Sequence, residues 1–507
     1  MQNCPSTITL SNYLGGRSLH WLNPPAMRLS FFLALFLSLL CTCGSAQVLT
    51  VSDELTMRSD TDYSLIGKLG GQTLLLQDRS TKYLLTAYNR GMKQTWEKEL
   101  ELRGRNVRLL ESVAKQDGTG FYLVYLFRES GRHSLQVDLY NPAGNLKDST
   151  TLVNFGLFVS NPEDEIYRSE DDTKLVILFT DQSTKPRVIG IDLAEQKLLY
   201  DRVIEPKNFY YGEDFLQAEV ANSGDLFFII ERDNFKSKRK EHRFEVHHLE
   251  AKQAAREFEV SMGDSLTYDL FWRYDNMNDR LLGGGLYTTR DFSKAEGYFT
   301  VAVDPANPTA ADPRFVPFPI PLIRNVQGKK YNKKHPGIDE MSVRDVILRH
   351  DGGALLVTER NRQLERRSAA SRTQVATDFG IRPLVDYHYD EVIVFAVHPD
   401  GKPHWNNILH KKQYSQDDGG VYSGFFLMEN PRSLRFLFND EIRFENTVSE
   451  YVVNGRGEFD RNSLFNTRDL DLRLRFKDGI QVAGNEMILP SETRNKLRLV
   501  KMTYEGK

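Results

Sequence analysis

Three features of this chain predict an all-β fold. Short apolar strands return at a spacing of mostly about 46 to 55 residues. Each is followed by a turn-closed strand pair, and another strand precedes it. Four strands per unit, about 50 residues per unit and eight units describe a β-propeller with eight four-stranded blades; a count of seven is the alternative. The 30 Phe and 22 Tyr lean the same way, since aromatic side chains suit a pleated, half-buried surface.

Residues 1–26 are polar and read as a leader upstream of a true start at Met27. Residues 27–46 have the layout of an export signal: Arg28, an apolar run over 29–40, and Gly44-Ser45-Ala46 as the cleavage site. The run is short of the ~20 residues that span a bilayer. A membrane anchor and a lipid-modified Cys41 or Cys43 are the alternatives. Cys4, Cys41 and Cys43 all precede the cut, so the mature chain carries no thiol for a disulfide, a thiolate metal site or a nucleophile. No later stretch is long and apolar enough to span a membrane. The mature protein, 47–507, is expected to be one propeller domain, periplasmic, cell-surface or secreted, with peripheral membrane attachment left open. A formal net charge of −3 gives no global polyanion-binding character.

The recurrent strands begin near Gln72, Phe121, Lys174, Asp225, Arg280, Ala354, Leu434 and Ile480. Turn signals precede several of them: Asp117-Gly118, Ser223-Gly224, Asp351-Gly352-Gly353 and Asp478-Gly479. The paired strands follow from Tyr83, Leu135, Arg187, Phe244, Tyr298, Glu391, Val448 and Leu497. The last copy ends before it supplies a fourth strand, whereas 47–55 is a spare strand at the start of the mature chain. Pairing these termini closes the ring and removes an open sheet edge.

The hairpin at 391–409 carries a resemblance. Asn89-Arg90-Gly91 with Trp96, and Asp400-Gly401 with Trp405, resemble the strand–turn–Gly–Trp signature of eight-bladed propellers with quinoprotein-type repeats. That group includes quinone-dependent dehydrogenases and the propeller lipoprotein of outer-membrane assembly. The resemblance implies tryptophans that dock neighbouring blades. Two of eight units keep the tryptophan; Leu146, Tyr200 or Phe459 stands in the equivalent region elsewhere. The stretch 390–400, with 417–423 and Phe438-Asn439-Asp440, is also similar to uncharacterised exported propellers of Bacteroidetes-type bacteria, which implies an envelope or secreted protein.

In a four-stranded blade, the connection from strand two to three and the one leading to the next blade emerge on one face. The long connections fall in these classes: 233–243 and 360–390 in the first, 317–339 and 411–420 in the second. A rigid ring with long loops on one face is a usual platform for binding. These loops are also basic. Lys236, Lys238, Arg239, Lys240 and Arg243 share their stretch with Glu241. Arg324, Lys329 and Lys330, with Lys333 and Lys334, meet no acid before Asp339, and Arg360, Arg362 and Arg366 lie near Glu365. Gathered on one rim they attract anions; the alternative is three solvated loops that never meet. The second half of 360–390 is apolar and aromatic. It either covers the channel mouth as a lid, with Tyr387, His388 and Tyr389 inward, or packs Phe379, Ile381 and Leu384 onto its own blade.

Other chemistry is weakly signalled. Asp417-Asp418-Gly419-Gly420 reads as a turn rather than a cation site, and His398, His404 and His410 are expected to scatter. His247 and His248 point to opposite faces of a strand. Gly283-Gly284-Gly285 marks a bulge or close blade packing. No metal or cofactor is implied. Asp339, Glu340, Asp386 and Glu391 are positional candidates for glycosidic chemistry. The sequence therefore predicts an exported module that binds an anionic ligand or envelope protein, and no nucleic acid. The alternative is a hydrolase or lyase acting on acidic polysaccharide at the channel mouth.

Overall fold

The computed structural model describes residues 47–58, 61–79, 82–156, 163–180, 183–251, 253–366, 384–440 and 447–505; residues 1–46, where a leader and an export signal are expected, lie outside the described residues. The unit spanning Gln47–Thr503 is an eight-bladed propeller of antiparallel sheets. Blade 1 runs from its inner strand Asp62–Leu69 to its outer strand Gln94–Leu100, blade 2 from Arg105–Ala114 to Leu146–Gly156. Blade 3 runs from Asp164–Arg168 to Lys197–Val203, blade 4 from Phe215–Val220 to Arg256–Ser261, and blade 5 from Leu266–Asp275 to Arg314–Pro317. Blade 6 extends from Met341–Leu348 to Pro403–Leu409, and blade 7 from Phe426–Asn430 to Phe459–Asn466.

Blade 8 is assembled from both ends of the chain. Ile480–Ala483, Glu486–Thr493 and Lys496–Tyr504 are its first three strands, and Gln47–Val51 is the fourth. The Ser52 N–H donates to the Leu499 carbonyl at 2.9 Å, and the Leu499 N–H returns a bond to Ser52 Oγ at 2.9 Å. The expected closure is therefore present. One expectation within it fails: Ile480 opens the inner strand, and the second strand is Glu486–Thr493. Inner strand Ile480–Ala483 has only four residues and follows Asp478-Gly479, so it imitates the turn-plus-strand start of the other units.

Alternation explains why second strands read as unbroken apolar runs. Leu74 and Leu76 join Phe121 and Tyr125 in the core between blades 1 and 2, while Leu75 joins Ile488 and Leu499 between blades 8 and 1. Both faces of a blade meet a neighbour, so successive residues are all buried. Close packing within blade 5 and against blade 6 accounts for the glycine triplet. A Cβ at Gly283 would lie 2.7 Å from the Trp272 ring, and one at Gly284 2.8 Å from Val346 of blade 6. Trp405 docks on blade 7, donating from Nε1 to the Gly455 carbonyl at 3.3 Å. Trp96 packs at the interface of blades 1 and 2.

Two elaborations depart from the plain ring. The second and third strands of blade 6, Ala354–Arg366 and Leu384–Val397, form a long arm, and Gln413–Gln416 pairs with its distal half. Between blades 5 and 6 lies a helix, Ile320–Gln327, pinned by Leu322, Ile323 and Val326 in the core of those blades. Among the described residues no helix is long and apolar enough to cross a membrane.

Candidate functional site

The basic connections meet. Lys236 Nζ donates to the Thr289 carbonyl at 3.1 Å, joining the blade 4 loop to the equivalent blade 5 loop. In turn Arg290 donates to the Lys334 carbonyl at 3.1 Å, and Ala295 bridges Ile338, joining that loop to the blade 5–6 connection. The helix turns its apolar side into the core and leaves Arg324, Lys329 and Lys330 exposed. A strip of cations thus runs from blade 4 to blade 6. Arg290 and Lys294 belong to it, though sequence reasoning missed them because Asp291 and Glu296 share their loop.

The cations are not equivalent. Asp233 accepts Lys240 at 2.9 Å and Arg243 at 2.9 Å, and Glu259 takes Arg243 at 3.0 Å. Hydrogen bonds from Lys240 and Arg243 keep the Asp233 carboxyl below its usual range. Both cations are therefore largely neutralised. Lys238, Arg239, Lys329 and Lys330 are exposed, and none forms an ion pair among the described residues. Arg324 lies over the Tyr331 ring at 5.1 Å.

The insertion is a strand pair where described, not a loop folded as a lid. Tyr387 and Tyr389 share one strand face and His388 takes the other, so the three do not point inward together. His388 meets the Tyr414 ring at a tilt, with centroids 5.1 Å apart. Burial and the Arg362 charge lower its pKa, so it adds no positive charge at neutral pH. Tyr389 is buried among cations: Lys477 Nζ lies 4.3 Å from its centroid, Arg344 5.4 Å and Lys411 5.8 Å. Since Lys477 lies in the connection between blades 7 and 8, the arm reaches that connection. Leu384 is exposed rather than packed on its blade, while Phe379 and Ile381 lie outside the described residues. Arg366 ends the arm strand, and Arg362 faces Glu340 at 3.5 Å.

Three of the four candidate carboxylates converge on one guanidinium. Arg360 meets Asp339 at 3.1 Å, Glu391 at 3.0 Å and Glu340 at 3.6 Å. Burial raises the Asp339 pKa, but the Gln327 hydrogen bond and the charges of Arg360 and Lys330 outweigh it and hold the group low. Such an acid does not donate a proton near neutrality. Asp386 instead accepts from Tyr414 at 2.7 Å. Asp418 caps a turn through Ser415 and the Gly420 N–H. His398 and His404 come together at 4.3 Å rather than scattering, because the hairpin sets them side by side. Among the described residues no His, Cys, Asp or Glu group is arranged to hold a metal ion.

The channel has its own chemistry. A cavity of about 650 Å³ is lined from inner strands of five blades, including Glu219, Arg273, Asp345 and Glu429. Arg273 contacts Asp345 at 3.0 Å. Glu219 accepts from Gln217 at 2.7 Å and from the Tyr274 N–H at 3.3 Å. Burial raises its pKa to about 7 against the opposing Arg273 charge. These positions, one per blade, had no signal in the sequence.

No protein-family model matches the chain, and no curated protein matches it in sequence. Solved structures similar to it are propellers of diverse kinds. The WD40 domain of SCAP from fission yeast is 8% identical with a TM-score of 0.40, covering 91% of this chain and 98% of that one. The Nup133 β-propeller domain from Vanderwaltozyma polyspora is 9% identical with a TM-score of 0.40, covering 90% and 100%. An oligogalacturonate lyase from Vibrio parahaemolyticus is 9% identical with a TM-score of 0.36, covering 89% and 98%.

Proposed function

We propose that this chain is an exported propeller that works as a binding or scaffolding module, taking an anionic ligand or an envelope protein on the rim of blades 4 to 6. The observation that carries this is the joining of basic connections distant in sequence, through Lys236 to Thr289 and Arg290 to Lys334. Cations side by side on a rigid ring raise the local potential far more than the same charges on separate loops. The hydrolase or lyase alternative draws no support from Asp339, Glu340 and Glu391, which are all engaged by Arg360.

The test replaces Lys238, Arg239, Lys329 and Lys330 by Ser in the mature chain and measures retention on immobilised polygalacturonate and heparin. Retention should weaken at least about tenfold and lose its salt dependence. Retention that survives all four changes refutes the reading. N-terminal sequencing of protein recovered outside the cytoplasm should begin near Gln47; a chain that starts at Met1 and stays in the cytoplasm refutes export.

A further inference from the structure

We infer that the rim docks on an anionic lipid surface, with Phe235 and Phe292 entering the headgroup layer. This rests on the reading of the rim as an anion-binding surface. A second feature, independent of charge, selects the partner. Phe235 is 50% exposed and Phe292 is 48% exposed, each within a connection between strands two and three on the loop-bearing face. The two connections are tied by the bond from Lys236 to the Thr289 carbonyl at 3.1 Å.

Single exposed apolar side chains are ordinary. Two phenyl rings on adjoining loops, each bracketed by cations, form a different pattern. Lys236, Lys238 and Arg239 follow Phe235, and Lys240, though paired with Asp233, places its ammonium 6.0 Å from the ring centroid. Lys294 and Arg290, the latter paired with Glu296 at 3.2 Å, flank Phe292. A soluble polyanion gains from the cations but gives the rings no apolar medium. A bilayer surface serves both: acidic headgroups meet the cations, and the rings enter the boundary with the acyl chains. Lysine also dominates the strip (Lys236, Lys238, Lys329, Lys330, Lys333 and Lys334). Its flexible stem suits a diffuse charged plane, whereas two-pronged recognition of single carboxylates favours arginine.

The test sediments the mature chain with vesicles of phosphatidylcholine alone or mixed with phosphatidylglycerol, at a salt concentration of about 0.1 M. The chain should pellet only with the anionic vesicles. F235S/F292S should lower its partition about tenfold, since part of two phenyl surfaces no longer leaves water. The same variant should keep full retention on polygalacturonate. Equal pelleting of the phenylalanine variant overturns the inference. Retention on polygalacturonate without vesicle pelleting also overturns it, leaving the rim as a site for soluble anions. Failure to bind either probe removes the rim reading as well.

Discussion

Replacing Glu219 with Gln should make the propeller more stable in mild alkali and leave it nearly unchanged in mild acid. The carboxyl protonates at about 7 in the ring, against a normal value of 4.5, chiefly because the channel wall strips away its water. A group whose folded pKa is raised binds its proton more tightly in the folded state, so stability falls as pH rises from the unfolded value through the folded one. From about pH 5 to about pH 8 this penalty grows by roughly 2 kcal/mol, counting about 1.4 kcal/mol per tenfold change in proton affinity. Gln carries no charge to desolvate. It keeps one acceptor for Gln217 Nε2 or the Tyr274 N–H and loses the other, at a cost of about 1 kcal/mol. Urea unfolding at both pH values, wild type against E219Q, should show a difference that favours the variant by roughly 2 kcal/mol more at the higher pH. A difference that does not change with pH would refute the assignment of a costly carboxylate in the channel.

Two further outcomes follow from the packing. Lys411→Met should destabilise by about 3 kcal/mol, because the Lys411 ammonium lies 2.6 Å from Glu359 with both side chains 1% exposed, and the change leaves Glu359 to Arg344 alone. Glu359→Gln in the same chain should recover much of the loss in denaturant midpoint; no recovery would assign the cost to packing. A chain starting at Asp53 should melt lower and scatter light with rising concentration, because only Leu55–Thr56 still pairs with Lys496–Tyr504, at Leu497 and Lys496, and the rest of that edge is left open. An unchanged melting temperature and a monomeric solution would count against ring closure.

The blade count was legible because each unit repeats the same sequence of apolar run, turn and paired strand. The slip at Ile480 came where that pattern is thinnest: the inner strand is four residues long, and the true second strand contains Pro490 and ends in Ser491-Glu492-Thr493. The rim was half legible. Clusters such as Lys329-Lys330 are visible in the chain, but their meeting depends on which blades adjoin, and Arg290 and Lys294 are masked by nearby acids. The arm was seen as an insertion, while its strand pairing and its alliance with Gln413–Gln416 join distant segments that no local pattern relates. The channel was illegible, because Glu219, Arg273, Asp345 and Glu429 come one at a time from strands over 50 residues apart. Convergence there is a property of circular order.

The bond from Leu499 to Ser52 spans 447 positions. During synthesis the strand that completes the circle is made before the seven intervening blades, and its partner after them. Seven blades can form in turn as the chain emerges, but the eighth waits for Lys496–Tyr504. Until then the nascent protein holds an idle N-terminal ribbon beside an arc with a gap. Whatever lowers the effective concentration of that ribbon, whether a long fusion at the front or cleavage just behind it, delays the final latch rather than any single blade.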